Sequence, residues 1–234
     1  PGYALNQSTI TQASLLVPYP QFVGSFPGSP TGGVTELDYS IGNSAYHGVQ
    51  IQATKRFSAG LSFSVGYTLS KHLGRYGYQN SSDTTLEKTI DTSDIPQMLT
   101  LNGVWMLPVG RGQLAGRNMP RWLDFAIGGW QLNWMIRSQE GMPYPLSTNA
   151  IPVSGVDPNA VDGGQRLDQW VNPAAFALNT NPFALRRWSS ISGRLRLPPL
   201  NNFDLGANKS FRITERVTFK FMTNWVNAFN TPQW

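Results

Sequence analysis

The sequence predicts an all-β fold: a sector of about six antiparallel strands from a transmembrane β-barrel, an open curved sheet as a fragment. Three observations predict it. Several stretches alternate apolar with small or polar residues at period two, which gives a strand one greasy and one polar face. The sharpest neighbouring pairs are joined by three-residue turns. Traced up and down in order, the long connections collect on one side and the short ones on the other, as in outer-membrane barrels.

Each element follows from its own residues. Residues 1–44 carry Pro, Gly, Ser, Thr and Asn throughout and read as an irregular lead-in with one short strand at most. Residues 45–234 read as the barrel sector. His47, Val49, Ile51, Ala53 and Phe57 alternate with Gly48, Gln50, Gln52, Thr54 and Arg56. Ser58, Ala59 and Gly60 make a tight turn, with Gly able to take the positive φ it needs. Leu61, Phe63, Val65, Tyr67 and Leu69 then point one way and Ser62, Ser64, Gly66, Thr68 and Ser70 the other. A first long loop is expected over 72–96. Leu99, Leu101, Gly103, Trp105 and Leu107 form the next face, stopped by Pro108 and Gly110. A short helix fits Met119 to Phe125. Trp130, Leu132, Trp134 and Ile136 alternate with Gln131, Asn133, Met135 and Arg137. The second long loop, 149–202, is the longest irregular stretch, and such connections usually serve function. Phe203, Leu205, Ala207 and Phe211 share a face, and after a turn at Ile213–Glu215 so do Val217, Phe219, Phe221, Thr223, Trp225 and Phe229.

In this reading Leu61, Phe63, Val65, Tyr67, Leu132, Trp134, Phe219 and Phe221 face lipid. Gln50, Gln52, Gln131, Asn133, Arg137, Lys220 and Asn224 face the lumen. Loops 72–96 and 149–202 are extracellular, and the turns at Ser58 and Ile213 periplasmic. Phe57, Leu61, Trp105, Trp130 and Phe211 fall near the short-turn rim, where an apolar and aromatic girdle belongs. Both ends of the chain read as cuts, so the lack of a secretory segment says nothing of compartment.

Composition fits a bilayer rather than water. Charged residues are 13% of the 234, about half the ~25% of a soluble chain. Aromatics reach 12%, with 8 Trp. With Cys 0, a disulfide framework, a thiolate metal site and a Cys nucleophile are excluded. The net charge of +5 is scattered over strand ends and loops without a basic stripe, which speaks against nucleic acid.

The chemical motifs resolve to bland readings. Gly110, Gly112 and Gly116 are spaced one residue too far for a dinucleotide loop and stand in no βαβ unit, so they read as a periplasmic turn. Asp157, Asn159 and Asp162 hint at a calcium loop, but Val161 stands where an oxygen ligand is needed. No nucleophile elbow or His-Glu-x-x-His motif occurs. Glu87, Asp91 and Asp94 read as solvated loop carboxylates. No enzyme activity, catalytic residue, cofactor or metal site is expected. Arg186, Arg187, Arg194 and Arg196 cluster in the second long loop and are candidates for contact with lipopolysaccharide phosphates.

An ordered set of motifs adds a resemblance: Leu16–Phe22 (LVPYPQF), Gly42–His47 (GNSAYH), Lys55–Phe63 (KRFSAGLSF), Tyr67–Lys71 (YTLSK), Leu107–Gly112 (LPVGRG), Gly128–Gln131 (GGWQ), Phe211–Arg216 (FRITER) and Asn227–Asn230 (NAFN). Together they resemble the C-terminal barrel part of the Oar-like TonB-dependent outer-membrane receptors, the carboxypeptidase-regulatory-like-domain-containing family abundant in Acidobacteria-type bacteria. The resemblance implies a barrel of ~22 strands with a plugged lumen, in the bacterial outer membrane. It implies energised uptake of a substrate, with outer-membrane lipid, lipopolysaccharide, the protein's own plug and TonB as partners, TonB acting through a segment outside this chain. The alternative is a soluble extracellular β-sandwich that binds carbohydrate or serves adhesion, in which the apolar faces would pack on one another.

Overall fold

Alternation at period two is realised as a sheet whose hydrogen-bond register keeps the main apolar rows of β2, β4, β5, β10 and β11 in phase. The computed structural model describes residues 8–10, 12–15, 19–20, 40–80, 82–147, 149–181 and 184–232. In chain order the elements are α1 (Gln12–Leu15), β1 (Asn43–Ser58), β2 (Leu61–Arg75), β3 (Thr89–Ile90), β4 (Gln97–Met106), α2 (Arg121–Ile127), β5 (Trp130–Gln139), β6 (Pro143–Pro145), β7 (Ala150–Pro152), β8 (Phe176–Leu178), β9 (Ile191–Arg196), β10 (Leu200–Arg212) and β11 (Thr218–Trp225). Most of residues 1–44, with most of the Leu16–Phe22 motif and the short strand expected there, lies outside the described residues.

The chain divides into two compact units. One, the sheet unit, comprises Tyr46–His72, Ser93–Pro143 and Arg196–Trp234. Its strands run in the order β1-β2-β4-β5-β10-β11. The pairs β2–β4, β4–β5, β5–β10 and β10–β11 are all antiparallel. Among the described residues β1 and β11 are the two edges and do not pair with each other. The turn between β1 and β2 has two successive positive φ values, 49° at Ala59 and 78° at Gly60. That is the pattern of a tight hairpin turn, and it is Gly that carries the larger excursion without a Cβ penalty.

The second unit comprises Pro1–Ala45, Leu73–Thr92 and Tyr144–Leu195. Here the structure departs from the two featureless loops expected. The first is shorter than 72–96, because β2 runs on to Arg75 and its Leu73 and Gly74 pair with Ile90 and Thr89 of β3. The second contains strands: β7 pairs with β8, and β9 pairs with β6, which lies just ahead of the loop. The alternation of a spanning strand did not mark these two- to six-residue segments. They are held instead by contacts across the sequence, as where Glu87 accepts a hydrogen bond from the Ser190 N–H at 2.9 Å. Leu195 is fully buried in this unit.

The expected helix at Met119–Phe125 forms two residues later, as α2. Pro120 takes the extended N-cap conformation, and at the C-cap the Gly128 N–H donates to the Asp124 carbonyl at 2.9 Å.

Candidate functional site

The register sorts the sheet unit's side chains into two faces. Leu61, Phe63, Val65 and Tyr67 stand opposite Trp105, Gly103, Leu101 and Leu99. Trp105, Gly103 and Leu101 in turn meet Leu132, Trp134 and Ile136. Ile136, Trp134 and Leu132 meet Phe203, Leu205 and Ala207. The row ends at Trp225, Thr223, Phe221 and Phe219 on β11. All eight residues expected to face lipid therefore share one continuous apolar face. Much of it is open: Trp105, Phe219, Phe221 and Trp225 are all exposed.

The opposite face is richer in polar groups by the same register, though Met98, Val104, Met106, Met135 and Met222 also fall on it. Gln131 stands across from Asn208, Asn133 and Asn224 both from Gly206, Arg137 from Asn202, and Lys220 from Ser210. Gln50 and Gln52 share the phase of Thr54, whose Oγ1 lies 3.4 Å from the Ser64 hydroxyl on this face. Asn208 Nδ2 donates to Asn133 Oδ1 at 3.1 Å. Gly206 is flanked by the Asn133 and Asn224 amides, so any Cβ there would displace them. Gly thus makes room for a polar row across β5, β10 and β11.

The apolar face has its own mortise. Gly103 lies under the Trp134 indole, and a Cβ at that position would also meet the Ser62 carbonyl oxygen at 2.8 Å. A large ring over a glycine fills the gap in the sheet surface and fixes the register.

One lysine interrupts the apolar face. Lys209 pairs with Trp130 and Phe221 and is 4% exposed. Its Nζ donates to the Phe125 carbonyl at 2.6 Å and lies 3.4 Å from that of Asp124. The Trp130 and Phe211 rings sit 5.6 Å and 5.0 Å from the ammonium. The last carbonyls of a helix have no partner within it, and a cation beside them is favourable. Sequence reasoning passed over Lys209. The signal was present, a lysine in phase with Leu205, Ala207 and Phe211, but its partner lies more than eighty residues away.

At the other end of the sheet unit, Asp94 is fully buried. It accepts from the His72 N–H at 2.6 Å and from Arg196 Nη2 at 2.6 Å. Arg196 Nη1 also donates to the Asp94 and Gly141 carbonyls. The expectation of a solvated carboxylate is corrected here, and also at Asp91, which is buried, and at Glu87, which caps Ser190.

The four arginines of the second long loop separate by role. Arg196 is spent on Asp94. Arg186 donates to the Trp188, Leu146 and Ser189 carbonyls. Arg187 and Arg194 stay exposed. Asp157 Oδ1 accepts from the N–H of Asn159, two residues on, which is a turn-forming bond.

A family model described as an outer membrane beta barrel domain matches residues 1–234. The chain belongs to that family. It is an outer-membrane β-barrel domain, located in the bacterial outer membrane. No curated protein and no solved structure gives a match. The family sets aside the soluble sandwich.

Proposed function

We propose that this chain is part of the barrel wall of a TonB-dependent, Oar-like transporter, taking up its substrate in an energised step without enzymatic chemistry of its own. The observation that carries this reading is the register that puts Leu61, Phe63, Val65, Tyr67 and Trp134 on one face and Gln131, Asn133 and Asn224 on the other. The apolar face meets lipid and the polar face lines a lumen. Six strands with two open edges belong to a wider barrel, because a bilayer tolerates no unpaired sheet edge. A lumen that wide holds a plug, and the amide row on β5, β10 and β11 is suited to packing against it. The resemblance of its motifs to those of the Oar-like receptors is what supports the link to TonB. The long connections are extracellular, and exposed Arg187 and Arg194 there suit contact with lipopolysaccharide phosphates.

Two measurements test this. Single cysteines at Ser82 and Gly164 of the complete protein should react with an impermeant maleimide on intact cells, and one at Ala59 should not. The reverse pattern inverts the topology. The complete protein in lipid nanodiscs should bind the purified periplasmic domain of TonB from the same bacterium, and failure to bind removes the TonB-dependent part of the reading.

A further inference from the structure

We propose that the 108–129 connection is a lipid-interface anchor, laying α2 on the outer wall of the barrel among anionic phospholipid headgroups of the periplasmic leaflet. This rests on the reading that the sheet's apolar face meets lipid.

The α2 half of the connection folds onto that face. Three apolar-face residues hold it. The Phe125 ring packs 4.9 Å from the Phe211 ring. Lys209 Nζ donates to the Phe125 carbonyl at 2.6 Å, and Trp130 Nε1 to the Ala126 carbonyl at 3.1 Å. The glycine-rich half closes on itself: Gly110 N–H donates to Ala115 O and Gly112 N–H to Arg117 O. Asp124 Oδ1 accepts from the Arg111 N–H at 2.8 Å, tying that half to α2.

Held this way, the connection presents apolar side chains outward. Trp122 is 72% exposed, Phe125 63% and Leu114 93%. In water these would be a liability. At the edge of a membrane they are an anchor, because a Trp-bearing amphipathic segment settles at the headgroup level. Continuity decides the side, since Phe125 extends the same apolar surface that Phe211, Phe219 and Trp130 form.

Charge decides the occupant. The connection and the adjoining β10–β11 turn hold Arg111, Arg117, Arg121, Arg212 and Arg216 against Asp124 and Glu215. All five arginines are exposed, whereas the Asp124 carboxylate faces inward onto the Arg111 N–H. Basic residues beside an interfacial apolar segment attract anionic lipid.

The experiment uses the complete protein reconstituted in vesicles with brominated lipids. A fluorophore on Trp122→Cys should lose emission to lipid brominated near the headgroup and keep it with lipid brominated near the chain end. The same label on Leu114→Cys should behave alike and serves if the Trp122 variant does not fold. A label on Leu101→Cys, mid-strand on the apolar face, reports on the underlying reading and should be quenched by the deep bromines. Quenching at Leu101 with none at Trp122 or Leu114 overturns the anchor and leaves the barrel wall standing. No quenching at any of them overturns the barrel-wall reading. For the occupant, adding phosphatidylglycerol to phosphatidylcholine vesicles should raise the urea midpoint of the wild type. The triple variant Arg111→Gln, Arg117→Gln, Arg121→Gln should lose most of that rise, and an undiminished rise overturns the anionic assignment.

Discussion

Asp94 shows what a single side chain contributes. Its carboxylate is fully buried and bound to the Arg196 guanidinium and to a β2 amide. Removing one partner of such a pair strands the other charge in a dry site. We expect Arg196→Met to cost about 3–5 kcal/mol, and the double change Arg196→Met with Asp94→Leu to cost clearly less. Urea unfolding of the reconstituted protein checks both. Tyr76, just beyond β2, gives a pH signature. Its hydrogen bond to the Asp91 carboxylate raises the phenol above its ordinary value of 10.0, against a smaller lowering by Ser44. A raised folded-state value means the interaction is intact at neutral pH and is lost as pH rises through that raised value. Tyrosinate absorbance should therefore show a late-titrating component that is lost in Tyr76→Phe and shifted to lower pH in Asp91→Asn. None of these contacts was legible in the sequence. Asp94 and Arg196 are 102 residues apart, and nothing local distinguishes a loop carboxylate that finds an arginine from one that finds water.

Strands were legible because alternation is a local consequence of the pleat. The main apolar face of β2, β4, β5, β10 and β11 followed from their own residues, and the hydrogen-bond register then put those faces in phase. The short strands β3, β7, β8 and β9 were not legible, since two to six residues carry too little periodicity and their pairing is set by distant segments. Depth also became readable only through the register. Phe219 pairs with Phe211 beside the turn, so it lies at the rim, while Leu101 pairs with Val65 and Ile136 in mid-strand. A charge on the lipid face costs about 2–4 kcal/mol at the midplane and about 0–1 near the interface. We expect Leu101→Arg to be severe, Phe219→Arg mild, and Asn102→Arg on the polar face milder than Leu101→Arg. Equal costs at Leu101 and Asn102 would refute the assignment of faces. The Gly103 mortise adds a second test of the same element. Gly103→Val would drive a side chain into the Trp134 indole and the Ser62 carbonyl, costing about 1–3 kcal/mol, with loss of Trp134 near-ultraviolet dichroism as the readout.

At the scale of the molecule the decisive feature is the pair of open edges. The sheet runs from β1 to β11 without returning, so one side of each edge strand carries amides and carbonyls with no partner strand among the described residues. The two edges are also apolar: Val49 and Ile51 on β1, and Phe219, Phe221 and Met222 on β11, are all exposed. In water such an edge is a template for pairing with another chain. In a bilayer each unpaired group costs several kcal/mol, and the wider barrel proposed above gives the edges further strands to meet. Closing these six strands on one another is not the solution, because known bacterial single-chain barrels begin at about eight. We therefore expect cysteines at Val49 and Phe221 to form no disulfide within one complete, reconstituted protein. Amide exchange at β1 and β11 should be as slow there as in β4 and β5, because neighbouring strands protect them. In residues 1–234 expressed alone and placed in detergent, the same edge amides should exchange rapidly while β4 and β5 stay protected. A Val49–Phe221 disulfide, or slow exchange at both edges in the isolated chain, would mean that the six strands close into a barrel by themselves, and the wider-barrel reading would fall with it.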